Sequence, residues 1–161
     1  MQKKVVISFN KVDEPYGWMG NMSNFKVSYE GKIWLTTEAL FQAMRFEGSP
    51  EIQEKIRVQK SPMAAKMVAK TKEYQHLKTV VAMSERDLEN MRICIGLKLE
   101  QHPALKEKLK KTANFEIYED IGKRNGERHL FWGAKLIEGE WIGKNWMGKI
   151  WMDKRAELLK E

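Results

Sequence analysis

The hydrophobic and polar positions of this chain follow two patterns, alternation every second residue, as in strands, and a repeat of about 3.6 residues, as in helices. Val5–Phe9 is a short apolar run of the kind that forms a strand. In residues 26–34, polar and apolar residues alternate around a Glu-Gly turn, which predicts a β-hairpin. Residues 135–142 show the same pattern. We therefore expect a short hairpin near each end of the chain.

Apolar residues at helical spacing occupy most of the remaining sequence. Helix starts are indicated by a capping residue or a proline at Ser49-Pro50, Ser61-Pro62, Ser84 and His102-Pro103. Helical spacing continues from Leu88 to Gln101, and a final helix is expected from about Trp146 to Leu159. The predicted fold class is α+β and mainly helical, in one compact domain over residues 1–161.

Composition limits the class of protein. Of the 161 residues, 42% are hydrophobic and 32% are charged, as in soluble globular domains. No run approaches the roughly 18 apolar residues that span a bilayer, and the apolar run after Lys4 is too short for a signal peptide. Cys94 is the only cysteine, which excludes an intrachain disulfide and a cysteine metal cluster. We expect a cytoplasmic protein without a membrane partner.

The charge balance is strongly basic. The formal net charge is +7, which favours anionic partners such as nucleic acids, nucleotides or phosphorylated metabolites. The densest group of lysines lies within residues 105–111, and it fits a solvated helix face as well as a nucleic-acid contact. The charge permits nucleic acid without requiring it.

One acid stands out at a predicted helix start. Thr37 is expected to be the N-cap of a helix, which places Glu38 in the first turn, where the helix dipole favours a negative charge. Phe41, Gln42 and Arg45 fall on the same stripe of this helix. A carboxylate kept ionised there, by the helix start and by Arg45, suits the stabilisation of a developing cation. Glu38 fits equally well as a simple capping charge.

A second motif lies near the C-terminus. Asn145 is expected to cap the last helix, Gly143 to allow a sharp turn into it, and Lys144 to stand beside a helix start suited to phosphate. Gly148 predicts a close approach by another helix or a ligand. Arg155 is expected to pair with an internal carboxylate or a phosphate.

Four tryptophans are concentrated in the same region. They are Trp132, Trp141, Trp146 and Trp151. Their rings fit either the hydrophobic core or the walls of a pocket that stacks on a nucleobase.

Taken together, these segments resemble the NADAR family. The matching segments, in order, are Tyr16-Gly17, Ser23-Asn24-Phe25, Gly31-Lys32-Ile33-Trp34, Thr37-Glu38, Phe41-Gln42-Ala43, Ser61-Pro62-Met63-Ala64-Ala65, Met91, Leu97-Lys98, Gln101-His102-Pro103, Trp132-Gly133, Gly143, Asn145, Gly148, Trp151-Met152 and Arg155. They extend from about residue 7 to residue 155. Each is weak alone, and their order and spacing carry the resemblance.

The resemblance implies a compact helical fold and an N-glycosidase that breaks a bond between ribose C1′ and nitrogen. Characterised members act either on ADP-ribose attached to guanine in DNA or on phosphorylated ribosylamine intermediates of riboflavin biosynthesis. The expected partner is thus ADP-ribosylated nucleic acid or a phosphorylated ribosyl metabolite. No metal or cofactor is implied, and His76, His102 and His129 lack ligand spacing. The alternatives are a non-catalytic reader of ADP-ribose or nucleotide and a basic protein that binds nucleic acid through its lysines.

By this resemblance, Glu38 matches the catalytic glutamate. Two positions depart from the family pattern: His129 replaces a frequent aspartate, and Met83 replaces a frequent tryptophan. We expect Glu38 to stabilise the cation or activate water, and His129 to donate a proton to the leaving group. The expected phosphate ligands are Gly143, Lys144 and Asn145, with Gly148 and Arg155 nearby. The ribose and base pocket is assigned to Asn24, Phe25, Gln42 and Trp132, and Arg45 is also expected to contact the substrate.

Overall fold

A computed structural model describes residues 4–161 and confirms the predicted α+β, mainly helical class. The strands are β1 (Val6–Phe9), β2 (Val27–Tyr29), β3 (Lys32–Trp34), β4 (Glu116–Glu119), β5 (Lys135–Ile137) and β6 (Glu140–Ile142). The α-helices are α1 (Thr37–Met44), α2 (Pro50–Arg57), α3 (Pro62–Ala69), α4 (Glu85–Gln101), α5 (Pro103–Lys111), α6 (Glu127–Trp132) and α7 (Trp146–Leu159). Short 3-10 helices cover Gly17–Met19 and Lys72–Leu77.

The chain divides into two compact units. The middle unit is Asn21–Gln101, and the terminal unit combines the residues up to Gly20 with His102–Glu161. A single domain over residues 1–161 stays a prediction. No helix within residues 4–161 is both long enough and apolar enough to cross a membrane.

In the middle unit, helices pack around α1. This helix contacts α2, α3 and α4, and its residues from Thr37 to Ala43 are buried. Its N-cap is Thr36, whose hydroxyl accepts a hydrogen bond from the Ala39 amide at 3.2 Å, so the prediction of Thr37 as the cap is off by one residue. Glu38 nevertheless lies in the first turn, as expected.

The predicted hairpin in this unit is confirmed. Strands β2 and β3 pair antiparallel, with Val27 opposite Trp34. Glu30 and Gly31 both have positive φ, at 48° and 78°, which is the backbone that a tight two-residue hairpin turn requires. The turn is therefore the reason that this short strand pair forms at this position.

In the terminal unit, β1 and β4 form a parallel pair, with Ile7 opposite Ile117. The strand β4 was missed by sequence, because Ile117 is its only fully buried position and the alternation is too short to recognise. Helix α7 packs against β4, α5 and α6. Trp151 is fully buried and its indole N–H donates to the Met19 carbonyl at 3.0 Å, so this tryptophan belongs to the core.

The second predicted hairpin is also confirmed. Strands β5 and β6 pair antiparallel, with Leu136 opposite Trp141, and Glu138-Gly139 forms the turn with both φ values positive. The backbone then runs through residues 143–145 directly into α7. Only three residues therefore separate the end of β6 at Ile142 from the start of α7 at Trp146.

Candidate active site

The expected catalytic acid is nearly buried. The side chain of Glu38 lies in the first turn of α1, and the residue is 9% exposed. Gln42, one turn later, donates its side-chain amide to Oε1 of Glu38 at 3.0 Å. The backbone N–H of Glu38 is bound to the Asn21 carbonyl at 3.1 Å. The carboxylate is thus oriented by an amide donor and lies at the positive end of a helix.

Arg45 has a different partner from the one expected. Its guanidinium binds Asp87 through two parallel hydrogen bonds, Nε to Oδ1 at 2.9 Å and Nη2 to Oδ2 at 2.7 Å, and it lies 4.7 Å from the Phe41 ring centroid. Both charged groups are buried. The expectation that Arg45 holds Glu38 ionised is corrected accordingly, because the guanidinium fork is directed at Asp87.

Asp87 also connects this pair to one of the two positions that depart from the family pattern. It accepts a hydrogen bond from the Met83 backbone N–H at 2.8 Å, just before α4 begins. Met83 has a positive φ of 64°, an uncommon backbone for a residue with a side chain. The ion pair therefore fixes the backbone at Met83 as well as Arg45.

Sequence reasoning missed a buried lysine in this unit. Lys98 on α4 is 1% exposed, donates to the Ser23 hydroxyl at 2.7 Å, and lies 5.1 Å from the Phe25 ring centroid. Burial lowers the pKa of its ammonium group from 10.5 to about 7. The sequence did contain a signal of this burial, because the spacing of Lys98 from Met91 and Cys94 places it on the apolar face of α4.

Cys94 connects this face of α4 to the candidate acid. Its thiol is fully buried, and burial raises its pKa, with the charge of Glu38 as the second cause. Cys94 lies one turn before Lys98 on the same helix. Of the other two expected pocket residues here, Phe25 is half-buried near Lys98, and Asn24 is exposed.

In the terminal unit, Asn145 has a structural role. Its side chain is buried, donates to the Ile117 carbonyl at 2.8 Å and accepts from the Glu119 amide at 2.9 Å. Asn145 is the N-cap residue of α7, as predicted, but its side chain makes no capping hydrogen bond and its φ of 54° is left-handed. Both ends of its amide are bound to the backbone of β4, so the side chain holds the strand, and its role in phosphate binding stays a prediction.

The two glycines of this motif are explained by backbone contacts. A Cβ on Gly148 would overlap the Ile117 carbonyl and the Asn145 side chain, so the close neighbour is a strand, rather than a second helix or a ligand. Gly143 has a φ of 140° and lies against the Gly133 carbonyl. Both positions need glycine for packing and backbone conformation.

The remaining predicted residues of this unit are half-buried or buried. His129 and Trp132 lie on α6, where Trp132 packs edge-to-face on Phe131 at 4.9 Å. The His129 ring nitrogen Nε2 lies 3.4 Å from the Arg128 guanidinium. The observed packing gives Trp132 an aromatic neighbour and gives His129 a cationic one.

Arg155 is buried and binds a hydroxyl. Its Nη1 donates to the Thr112 hydroxyl at 2.9 Å, and the residue is 7% exposed. Burial lowers the pKa of its guanidinium, as expected for a cation that has lost water. Within residues 4–161 its side-chain partner is this hydroxyl and not an internal carboxylate, and the other expected partner, a phosphate, stays a prediction.

A cleft of about 320 Å³ opens within the terminal unit beside these residues. It is lined by Lys4, Asn114, Glu116, Tyr118, Trp141, Gly143, Lys144, Asn145, Lys149, Met152 and Arg155. Three expected phosphate ligands are in this list, together with Trp141, a predicted candidate for stacking on a base, and Tyr118, which sequence analysis did not assign. In the part of the chain that the structure describes, no group of three or more His, Cys, Asp or Glu side chains is placed to hold a metal ion.

The family model for the NADAR domain matches residues 8–159, almost the whole chain. The chain belongs to the NADAR family. Similar curated proteins are N-glycosidase YbiA of Escherichia coli (strain K12) and of Shigella boydii serotype 4 (strain Sb227). Each is 29% identical over 161 residues, covering 100% of this chain and 93% of the relative.

A solved structure agrees with this assignment. The NMR structure of the Escherichia coli protein YbiA matches with a TM-score of 0.78 at 27% identity, covering 99% of this chain and 88% of that chain. N-glycosidases are hydrolases, so the relatives support the predicted enzyme class. The fold expected from the family resemblance is confirmed.

Proposed function

We propose that this protein is an N-glycosidase that hydrolyses the bond between ribose C1′ and a nucleobase nitrogen and removes ADP-ribose from guanine in nucleic acid. The observation that carries the proposal is Glu38. It is a nearly buried carboxylate at a helix start, oriented by Gln42, in a chain whose relatives are N-glycosidases. The net charge of +7 supports a nucleic-acid substrate.

The reaction passes through a state in which positive charge builds on C1′. The C1′–N bond breaks, water adds its oxygen to C1′, and a proton is transferred to the leaving nitrogen. Glu38 is placed to stabilise that positive charge or to accept the proton of the attacking water. Gln42 holds one carboxylate oxygen, so that the group keeps a single orientation during the reaction.

Protonation of the leaving base requires an acid near neutral pH. His129 is the proposed donor, since an ordinary imidazole titrates in that range. Lys98 is the alternative donor, because burial lowers its pKa to about 7 and it lies on the helix face that carries Cys94. The pH dependence of kcat in His129→Gln and Lys98→Met distinguishes the two, since the true donor's substitution removes the upper limb of the profile.

The test is release of base or sugar, followed by chromatography. Wild type and Glu38→Gln are incubated with a guanine-ADP-ribosylated oligonucleotide and, separately, with ribosylaminouracil phosphate. We expect release from the oligonucleotide and a loss of about 10²-fold or more in Glu38→Gln. Glu51→Gln is the matched control, because Glu51 occupies the first turn of α2 and is exposed.

The outcomes separate the candidate functions. Release from ribosylaminouracil phosphate alone would assign the protein to the riboflavin-pathway metabolites instead. Saturable ADP-ribose binding with no release from either substrate would indicate a reader. Equal turnover by Glu38→Gln and wild type would remove Glu38 from the mechanism.

A further inference from the structure

We infer that the cleft of the terminal unit binds a nucleoside phosphate, with its base against Trp141 and its phosphate between Lys144, Lys149 and Arg155. This inference rests on the proposed function in one respect, because ADP-ribose and a nucleic-acid strand both contain a nucleoside phosphate. The residues that carry it are the lining residues of the cleft, all within one unit of the fold.

The first observation is an aromatic wall. Trp141 on β6 stacks on Tyr118 on β4, with ring centroids 4.6 Å apart and planes 9° from parallel. The Tyr118 hydroxyl donates to a Glu116 carboxylate oxygen at 3.2 Å, and this hydrogen bond holds the tyrosine ring of the stack in place. Trp141 is half-buried, so part of its indole surface remains accessible in the cleft. A fixed, flat aromatic surface is what a nucleobase needs for stacking.

The second observation is the charge of the lining. Among the residues that the structure describes, four cationic side chains and one carboxylate line the cleft. The carboxylate, Glu116, lies 3.8 Å from the Lys4 ammonium group, so its charge is partly neutralised. Lys144 and Lys149 are exposed at the start of α7. The lining is therefore suited to an anion.

The third observation is the buried guanidinium. Arg155 is 7% exposed, and within residues 4–161 its partner is the hydroxyl of Thr112, a neutral group. A guanidinium has five N–H donors, and among the described residues one of them is bound, to the Thr112 hydroxyl. A phosphate in the cleft would add a negative charge and acceptor oxygens to those that residues 4–161 offer this buried cation.

The volume of the cleft is compatible with a ligand of about one nucleotide. A volume of about 320 Å³ is at the lower end of the range of small-molecule sites, roughly 300–1,000 Å³. It suits one base with its sugar and phosphate better than two stacked nucleotides. The chemistry is shared by a free nucleotide and by one residue of a strand, and the experiment below distinguishes these sources.

The experiment is a binding titration that does not depend on turnover. AMP, adenosine and ribose 5-phosphate are titrated by calorimetry, and a fluorescein-labelled single-stranded oligonucleotide by anisotropy, all at one ionic strength. We expect Trp141→Leu to weaken AMP and oligonucleotide binding by about 10-fold or more and to leave ribose 5-phosphate unchanged. Trp141→Phe keeps an aromatic face and should retain most of the affinity.

The phosphate half is tested by Lys149→Gln, with Lys108→Gln as the matched control, since both lysines are exposed on helices of this unit. We expect Lys149→Gln, and not Lys108→Gln, to weaken the binding of AMP, while the binding of adenosine stays unchanged in both variants. Tighter binding of the oligonucleotide than of AMP would assign the cleft to a strand, and the reverse order to a free nucleotide.

The inference is overturned if AMP and the oligonucleotide bind Trp141→Leu and Lys149→Gln as tightly as wild type, or bind none of the proteins. Either result leaves the hydrolysis assay with Glu38→Gln unaffected. Failure of the cleft assignment and failure of the proposed N-glycosidase are therefore distinguishable.

Discussion

Replacing Lys98 with methionine should make the stability difference between variant and wild type depend on pH. Lys98 has a folded-state pKa of about 7 and an ordinary value of 10.5, because burial disfavours its charged form. Between these two pH values the unfolded chain binds more protons than the folded chain. The free energy of unfolding of wild type therefore falls as the pH decreases from 10.5 to 7, and the full penalty is present below pH 7.

The magnitude follows from linkage. Each pH unit between the two pKa values corresponds to about 1.4 kcal/mol, so the whole range corresponds to roughly 5 kcal/mol. Methionine has a similar length and carries no charge, so Lys98→Met removes this term. Relative to wild type, the variant should gain roughly 4 kcal/mol in free energy of unfolding between pH 10 and pH 7.

The assay is guanidinium unfolding, followed by tryptophan fluorescence at pH 7, 8, 9 and 10. Linear extrapolation carries an uncertainty of about 10–15%, well below the expected change. Lys108→Met, which removes an exposed lysine on α5, corrects for the general loss of one positive charge. A difference between Lys98→Met and wild type that stays the same from pH 10 to pH 7 would refute the burial argument.

Two further substitutions test the packing inside each of the two units, Asp87→Ala in the middle unit and Gly148→Ala in the terminal unit. Asp87→Ala leaves the guanidinium of Arg45 buried without its carboxylate, so we expect a loss of about 3–5 kcal/mol and a Tm lower by roughly 10 °C; an unchanged melting curve would contradict this role. Gly148→Ala should lower stability by about 2 kcal/mol, since the overlap with the Ile117 carbonyl outweighs the gain of about 1 kcal/mol in helix propensity. A higher Tm for Gly148→Ala, measured by circular dichroism, would show that β4 moves aside freely.

Local signals in the sequence were sufficient for the elements near the candidate acid. The Glu30-Gly31 turn and the proline at the start of α2 each act through the backbone of their own segment. The position of Glu38 in the first turn of α1 followed from the same kind of signal. A cap assigned to Thr37 instead of Thr36 changed only the boundary, because adjacent threonines carry the same hydroxyl.

Partners of polar side chains were not predictable from these local signals. Arg45 and Glu38 share a helical stripe, yet Arg45 binds Asp87, which lies 42 positions away in the chain. Asn145 has the residue type of a helix cap, yet its amide binds the backbone of β4 from 28 positions away. A side chain with several possible acceptors takes the one that packing brings within 3 Å, and spacing along one helix does not contain that information.

The sequence by itself determined the helix-rich class, both hairpins, the acid at the start of α1 and the family to which the chain belongs. These depend on backbone conformation and on the order of short motifs, both of which are local. Only the tertiary structure decided that Lys98 is buried beside Ser23 and that Trp141 stacks on Tyr118 in a cationic cleft. Burial and stacking arise between segments that are distant in the chain, and the electrostatics of the candidate sites follow from that burial.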